Sequence, residues 1–215
     1  TLSYIECLLN QAKTGGYEMP ENIGEMINTA REYSAQNSDE ATFDDLTRLH
    51  NRRSIERIGY RESDRRYNSR GVSIIYLDLD GFKAINDRES HAAGDRALRA
   101  FARVMKSVLR STDAYGGRAG GDEFIAVLPD TDTEGASLVE DRLRKAFEHR
   151  KSRYLQVLGN RFPDAVLSPV EKLSYSAGIA SSDGGKDFGQ LKREADAAMY
   201  KVKINGKNDV AVVSD

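Results

Sequence analysis

Apolar residues recur along this chain with spacings that distinguish helices from strands. The short continuous runs at 74–77 and 124–128 are typical of buried strands. Between residues 97 and 109 the apolar positions instead recur every three or four residues, which predicts a helix with one buried face. The whole pattern predicts helices near 51–67, 92–109, 133–150 and 188–203, strands at 72–78, 173–180 and 208–213, and a hairpin over 114–128.

This order of elements indicates an α/β fold, or an α+β sandwich, in which helices pack on a central sheet. The scattered apolar positions of residues 1–38 suggest a short helical appendage that ends in a polar linker at 34–40. We therefore expect two parts, an N-terminal helical segment (1–38) and a main domain (39–215). The pattern predicts an unusually long connection at residues 151–172, between the helix near 133–150 and the strand at 173–180. Because the chain does not begin with Met, we expect a piece of a longer protein.

Two pairs of acids lie at the ends of predicted strands. Asp78 and Asp80 end the first strand, and alternation along a strand places both side chains on one face. Asp122 and Glu123 follow two glycines at the bend of the hairpin, where glycine lets a phosphate approach the backbone. Taken alone, each pair has an ordinary interpretation, as a strand-ending cap or as a solvent-facing turn. Together they favour Mg²⁺, which binds a few carboxylates along with substrate phosphates.

The segments that contain these acids resemble one protein family. Asp-Leu-Asp-x-Phe-Lys-x-Ile-Asn-Asp at 78–87, His-x-x-Gly-Asp at 91–95 and Gly-Gly-Asp-Glu-Phe at 120–124 are similar to the GGDEF diguanylate cyclase domain. The resemblance spans about residues 40–212, and several motifs in order are more specific than any single one. Three further segments match: an opening motif at 45–53, a late core strand at 175–180, and a closing helix and turn at 195–208.

The resemblance implies a palm-like, mixed and largely antiparallel sheet flanked by helices, related to nucleotide cyclases. It implies that two GTP molecules form cyclic di-GMP with release of pyrophosphate, with Mg²⁺ or Mn²⁺ as cofactor. Each domain has one recognisable guanine pocket, so catalysis should need a transient or regulated homodimer, and Asp122 is at the position often credited as the base. The implied contacts are metal ligation by Asp78, the Leu79 carbonyl, Asp122 and Glu123, guanine recognition by Asn86 and Asp95, and other substrate contacts by Lys83, His91, Gly120, Gly121, Lys203 and Lys207.

Some of these positions have plain structural alternatives or depart from the family. Lys203 and Lys207 are also consistent with surface charge beside a glycine turn, and His91 with local packing at a helix start. At 207 the family more often has Arg, so a bidentate phosphate contact becomes a single point charge. Three further departures lie outside the implied metal site, namely Ser90 in place of Gly, and Arg48 and His50 in place of the Gly and Pro of the opening motif.

Arg110 and Asp113 resemble the family's inhibitory site for its product, cyclic di-GMP, and Arg142 in the next helix is a further candidate for that site. Six residues, 114–119, separate Asp113 from the Gly-Gly turn, where five are usual in the family. A β-bulge at Gly116-Gly117 could absorb the extra residue. An ion pair at a helix end is the alternative interpretation of these charged residues.

Composition adds only broad limits. The 215 residues suffice for one domain with a full core plus an appendage, and a net charge of −2 gives no electrostatic argument for a nucleic acid or membrane partner. Basic residues cluster at 61–70 and 142–153 with acids interspersed, which favours solvated helix faces. Cys7 is the only cysteine, and no apolar run approaches the roughly 20 residues that cross a bilayer. We expect a bacterial cytoplasmic domain, which a preceding region could tether to a membrane.

Two other functions stay open at this point. One is a binding module that holds GTP or cyclic di-GMP without turnover, although Asp78, Asp122 and Glu123 argue against it, because degenerate family members typically lose those acids. The other is an interaction domain in which residues 1–38 and the loop at 151–172 bind a partner. A titration with GTP and Mg²⁺ separates these functions, because a vestigial site should show no Mg²⁺-dependent GTP binding.

Overall fold

The computed structural model describes residues 42–64, 71–110, 114–161, 168–182 and 185–213. The predicted N-terminal segment at 1–38 and its linker lie outside these residues. The elements follow in the order α1 (Arg52–Ser63), β1 (Val72–Asp80), α2 (Phe82–Arg88), α3 (His91–Leu109), β2 (Tyr115–Gly120), β3 (Glu123–Pro129), α4 (Thr133–Arg161), α5 (Ser168–Glu171), β4 (Ser174–Ser182), α6 (Phe188–Ile204) and β5 (Val210–Val212).

The strands form one five-stranded sheet in the order β2-β3-β1-β4-β5. Strand β1 lies at the centre and is buried along its whole length, as its continuous apolar run predicts. It pairs antiparallel with β3 and with β4, β2 pairs antiparallel with β3, and β5 is parallel to its neighbour β4. The predicted α/β architecture with a mixed, largely antiparallel sheet is therefore confirmed.

Helices cover both faces of the sheet, and alternation along β1 supplies each face with its apolar residues. Ile74 and Tyr76 pack with residues of α1 and α6, whereas Ile75, Leu77 and Leu79 pack with residues of α3 and α4. Burying a large apolar side chain contributes about 1.5–3 kcal/mol, so each face is held by several such contacts. Asp78 pairs with Lys203 of α6, and Asp80 accepts a hydrogen bond from the Asn208 backbone N–H just after α6, which confirms that the two acids share a face.

An aromatic cluster anchors the hairpin under its acidic turn. The Phe101 ring of α3 lies 4.8 Å from that of Phe124 in β3, 5.5 Å from that of Phe147 in α4 and 5.4 Å from that of Tyr175 in β4, measured between ring centroids. All four side chains are almost completely buried. Because Phe124 directly follows Glu123, this packing fixes the start of β3 and with it the turn.

Two elements differ from the sequence prediction. Helix α2 was not predicted, because its seven residues bury only Ile85 and give no periodic signal. Helix α4 runs to Arg161 rather than ending near 150, so the prediction of a long connection at 151–172 is wrong for its first half; no proline interrupts the helix, since Pro163 lies beyond its end. None of the helices in the described ranges is long and apolar enough to cross a membrane.

Candidate active site

The hairpin brings the acidic pair to the edge of the sheet beside the end of β1. Gly120 pairs with Glu123, so Gly121 and Asp122 form the two-residue turn. Gly121 has a φ of 46°, which a residue with a side chain rarely adopts. No atom lies within 4 Å of the position that a Cβ at Gly121 would take, so the backbone conformation, rather than a lack of space, favours glycine there.

The bulge predicted at Gly116-Gly117 lies elsewhere. Those residues pair in regular register with β3, and the register shifts between Arg118 and Gly120. The prediction is wrong because β2 packs tightly on Ile55 of α1 at Gly117, where an extra residue would push the strand off this contact. The irregularity therefore falls next to the turn, where a bulge changes the direction of the chain.

Arg118 holds the turn in place, a role that sequence analysis did not assign. Its Nε and Nη2 donate hydrogen bonds to the Gly121 carbonyl at 2.9 and 2.7 Å, and its Nη1 lies 3.2 Å from Asp44 Oδ2. Asp44 also accepts from the Thr47 backbone N–H and hydroxyl. Burial raises the pKa of Asp44, but the Thr47 hydrogen bonds and the Arg118 charge outweigh it and lower the pKa below its ordinary value. The only signal in the sequence is an Arg two residues before the Gly-Gly turn.

The residues of the implied metal site are neighbours across two strands. Asp78 lies directly opposite Glu123 in the β1–β3 register. The Leu79 backbone N–H donates to the Asp122 carbonyl at 3.2 Å, which ties the turn to the end of β1. The Tyr76 hydroxyl donates to Glu123 Oε2 at 3.3 Å. Residues far apart in sequence thus meet at one end of the central strand.

The electrostatics of this end of β1 are dominated by negative charge. Asp78 is 7% exposed, and burial raises its pKa to about 6, with the charges of Asp122 and Glu123 adding to the increase and Lys203 opposing it. Lys203 of α6 places its Nζ 2.6 Å from Asp78 Oδ2. Burial and the Glu123 charge also raise the pKa of the Tyr76 hydroxyl. Lys203 thus neutralises Asp78 only in part, because Asp122 and Glu123 add negative charge next to it, and a further cation would stabilise this arrangement.

The donor set suits a hard divalent cation. Asp78, Asp122, Glu123 and the Leu79 carbonyl offer only oxygen atoms, the ligands that Mg²⁺ prefers. Within the described residues, no three acidic, His or Cys side chains are gathered closely enough to hold a metal ion. Lys203 instead engages Asp78, and the hydroxyl of Tyr76 engages Glu123. The oxygen donors therefore fit Mg²⁺ by type, and gathering them around one ion would require Asp78 and Glu123 to leave Lys203 and Tyr76.

Asp80 shares the face of Asp78 but has a different environment. Its carboxylate is 5% exposed and accepts hydrogen bonds from the Ser174 hydroxyl at 3.2 Å, the Ser176 hydroxyl at 2.9 Å and the Asn208 backbone N–H at 3.0 Å. These donors engage the acid from β4 and from the turn after α6. Asp80 is therefore a structural clamp, and the sequence alone did not distinguish it from Asp78.

A groove of about 530 Å³ opens beside these acids. Asp78 and Asp122 lie at one side of it, and Lys83 of α2, Lys203 of α6 and Lys207 of the turn after α6 supply positive charge. A groove with acids and ammonium groups side by side suits a metal–triphosphate complex, because the lysines can contact phosphate oxygens while the carboxylates bind the metal.

The two predicted guanine-binding residues, Asn86 and Asp95, both lie near the start of α3. Asn86 of α2 packs against Gly94, where a methyl group would overlap its side-chain oxygen. Asp95 follows and lies 3.9 Å from Arg99. Both side chains are partly exposed, although neither lines the lysine-rich groove. His91 is exposed at the first position of α3, where Ser90 caps the helix by accepting a hydrogen bond from the Ala93 N–H.

The residues of the predicted inhibitory site are only partly described. Arg110 caps the end of α3 and lines a separate groove together with Arg48, Arg103 and Lys106. Asp113 lies outside the described residues. Arg142 is exposed on α4 and is not among the residues that line this groove.

Two departures of the opening motif have a local explanation. Arg48 has a φ of 57°, a conformation that suits the Gly usual in the resembled family. The His50 ring lies 5.0 Å from the Phe43 ring, and its Nδ1 is 3.0 Å from the Ser54 hydroxyl, so His50 joins the start of the domain to α1.

Comparison with known proteins gives the same family. The model of the diguanylate cyclase GGDEF domain matches residues 41–209. The probable diguanylate cyclase DgcE of Escherichia coli K12 is 34% identical over 89% of this chain, which spans 17% of the length of that protein. The active GGEEF domain of a diguanylate cyclase from Vibrio cholerae is 31% identical, with a TM-score of 0.62 over 78% of this chain and 99% of that one.

A further solved structure, of a microbial GGDEF domain with bis-(3′,5′)-cyclic di-GMP, is 30% identical, with a TM-score of 0.63 over 82% of this chain and 99% of that one. The match to the family model covers most of the chain and every motif discussed above, from the opening motif to the turn after α6. The chain therefore belongs to the GGDEF family of diguanylate cyclase domains.

Proposed function

We propose that this domain condenses two GTP molecules into cyclic di-GMP, as a homodimer in which each copy holds one GTP. The observation that carries the proposal is the pairing of Asp78 with Glu123, next to Asp122, at a groove that also contains three lysines. The names of the relatives support it, since they are diguanylate cyclases. Degenerate binding modules are disfavoured because all three acids are present.

The metal, Mg²⁺ or Mn²⁺, would be held by Asp78, the Leu79 carbonyl, Asp122 and Glu123, and when bound it would neutralise phosphate charge and make the attacking hydroxyl more acidic. Lys203 balances Asp78 in its absence. Lys207 and Lys83 line the same groove and would hold the triphosphate as point charges.

The reaction itself requires positioning more than covalent chemistry. The 3′-oxygen of one GTP forms a bond to the α-phosphorus of the other, the bond from that phosphorus to the bridging oxygen breaks, and pyrophosphate leaves. Asp122 takes the proton of the 3′-hydroxyl. In a second step of the same kind, the 3′-hydroxyl of the other nucleotide attacks the remaining α-phosphorus, a second pyrophosphate leaves, and the ring closes. Two facing copies are needed because each holds one of the two nucleotides.

Guanine selection is assigned to Asn86 and Asp95. A carboxylate can accept hydrogen bonds from N1–H and from the exocyclic amine of guanine, whereas adenine lacks that pair of donors. Gly94, the residue before Asp95, leaves room for the Asn86 amide to pack against the start of α3. Both residues are partly exposed and therefore accessible to a base.

Product inhibition is a second part of the proposal. Arg110 lies in a groove with Arg48, Arg103 and Lys106, a cluster of cations that suits the two phosphates of cyclic di-GMP. Asp113 and Arg142 are proposed to complete this site. The related structure with bound cyclic di-GMP supports an interaction of this kind.

The test is product analysis by liquid chromatography and mass spectrometry after incubation with Mg²⁺. GTP should give cyclic di-GMP and pyrophosphate, and ATP should give no cyclic dinucleotide. An Asp64→Asn variant, which alters an exposed acid at the end of α1 outside this groove, is the matched control for an inactive Asp78→Asn variant. A mixed guanine–adenine product would contradict the base assignment, and GTP binding without any product would favour the binding module.

A further inference from the structure

A third groove, the α3–α4 groove, lies outside the proposed catalytic site. It has a volume of about 580 Å³, shares no lining residue with the lysine-rich groove, and shares only Arg103 with the groove of the proposed product site. Its floor is apolar and includes Ala93, Ala97 and Ala100 of α3 and Phe147 of α4, and Tyr154, which is 50% exposed, stands at its edge. Helix α4 reaches this edge because it continues past residue 150, where the sequence predicted a loop.

Positive charge lines both sides of this groove. Arg96, Arg99 and Arg103 lie on the α3 side, and Arg150 and Lys151 lie on the α4 side. Among the described lining residues, Glu89 is the only acid. The protein as a whole carries a net charge of −2, so this concentration of cations is a local feature.

Three of these cations have no partner among the residues that the structure describes. Arg99 lies 3.9 Å from Asp95, and Lys151 lies 2.9 Å from Glu148. Arg96, Arg103 and Arg150, in contrast, take part in none of the hydrogen bonds, ion pairs or ring contacts that join the residues of the described ranges. Their guanidinium groups are therefore available to carboxylates from outside the domain.

The shape of the groove suits a helix. The α3 residues that line it run from Ala93 to Val104, a distance of about 16 Å at roughly 1.5 Å per residue, or about three helical turns. The three alanines are spaced i, i+4 and i+7, so they form one smooth strip along α3. A helix with an apolar stripe can lie along such a strip, which is a recurrent mode of peptide recognition.

We propose that the α3–α4 groove binds an acidic amphipathic helix of a partner protein. The apolar stripe of that helix packs on the alanine strip and Phe147, and its flanking carboxylates reach Arg96 and Arg103 on one side and Arg150 on the other. Cations on both sides of the groove disfavour a basic helix. The continuous apolar floor between them favours a helix over a small polar anion.

Fluorescence tests the proposal directly, because the chain contains no tryptophan. A Tyr154→Trp variant places one reporter at the edge of the groove. The probe is a synthetic helical peptide of roughly 18 residues, about five turns, with Leu at i, i+3, i+4 and i+7 and Glu on both flanks. A second peptide with Lys in place of every Glu is its control. Anisotropy of the fluorescein-labelled peptide with the unaltered chain repeats the measurement without the reporter.

Charge reversal identifies the surface. In the Tyr154→Trp variant, Arg96→Glu combined with Arg103→Glu should weaken binding of the acidic peptide at least tenfold. Arg193→Glu, an exposed arginine of α6 on the other side of the sheet, should leave it unchanged. Circular dichroism checks that each variant is folded, and Arg150→Glu repeats the test from the α4 side.

The expected result is a saturable shift of tryptophan emission with the acidic peptide alone. Equal binding of the Lys peptide, equal binding by the charge-reversed variant, or no saturable binding would overturn the proposal. Binding of laurate or of phosphatidylglycerol vesicles, with no binding of the acidic peptide, would also overturn the proposal. Laurate binding would assign the groove to an amphiphilic anion, and vesicle binding would assign it to a membrane surface.

Discussion

The backbone N–H of Asn208 donates a hydrogen bond to Asp80 Oδ2 at 3.0 Å, and this contact joins the end of β1 to the turn that carries Lys207. Arg144 extends the connection, because it donates to Asn208 Oδ1 at 3.2 Å and pairs with the buried Glu140 at 2.6 Å. The position of Lys207 in the groove therefore depends on a network that runs from β1 through the turn to α4.

Asp80→Asn should damage substrate binding through this network. The amide keeps one acceptor but turns its NH₂ toward a hydroxyl or backbone donor, so we expect the free energy of unfolding to fall by about 1–3 kcal/mol. The KM for GTP should rise several-fold, with a smaller change in kcat, because Lys207 would be displaced. Thermal melts and steady-state kinetics measure both. Asp64→Asn, at an exposed acid outside the groove, is the control, and an unchanged KM would contradict the proposed role of Asp80.

Glu123→Gln should separate catalysis from stability. The amide preserves side-chain volume and can still accept the Tyr76 hydrogen bond, so we expect the melting temperature to stay within a few degrees of the original. Turnover should fall by orders of magnitude, since a charged metal ligand is lost. Glu134→Gln changes an exposed acid of α4 and should affect neither property. Substantial residual activity would show that Glu123 does not bind the metal.

The sequence predicted the central strand and its acids well because strand alternation is a local property. Asp78 and Asp80 were correctly placed on one face, yet their different roles depend on Lys203 and Asn208, which are more than 120 positions away in the chain. The contact of Arg118 with Asp44 and the site of the β-bulge were missed for the same reason, since both depend on packing between distant segments. Helix α2 escaped detection because a seven-residue helix with one buried side chain has no measurable period.

The pH dependence of stability should reveal the environment of Asp78 in metal-free protein. Its pKa is about 6 in the folded state against an ordinary value of 3.8, so the folded state binds the proton more tightly. Stability from this group is therefore greatest below pH 3.8 and is lost as the pH rises toward about 6. In EDTA, the melting temperature of Asp78→Asn relative to the original protein should increase across that interval. A constant difference would contradict the raised pKa.

The proposed homodimer predicts a dependence of activity on protein concentration. Each copy holds one GTP, so specific activity should fall on dilution at a fixed saturating GTP concentration, as the dimer dissociates. Analytical ultracentrifugation over the same dilution series gives the oligomeric state. Constant activity per protomer in a protein that is monomeric throughout would exclude a mechanism that needs two copies.

Gly94→Ala should impair recognition of the base through a single neighbour. The new methyl group would overlap the side-chain oxygen of Asn86, so that amide must leave the position in which it is proposed to bind guanine, and the KM for GTP should rise. Helix propensity favours Ala over Gly by about 1 kcal/mol, so stability should fall little or even increase.

The double variant with Asn86→Ala provides the decisive measurement, because without the Asn86 side chain the extra methyl group has much less to displace. The effect of Gly94→Ala on the KM should therefore be largely lost in that background. Equal effects in both backgrounds would show that Gly94 acts through the helix backbone or through Phe82, its other close neighbour, rather than through Asn86.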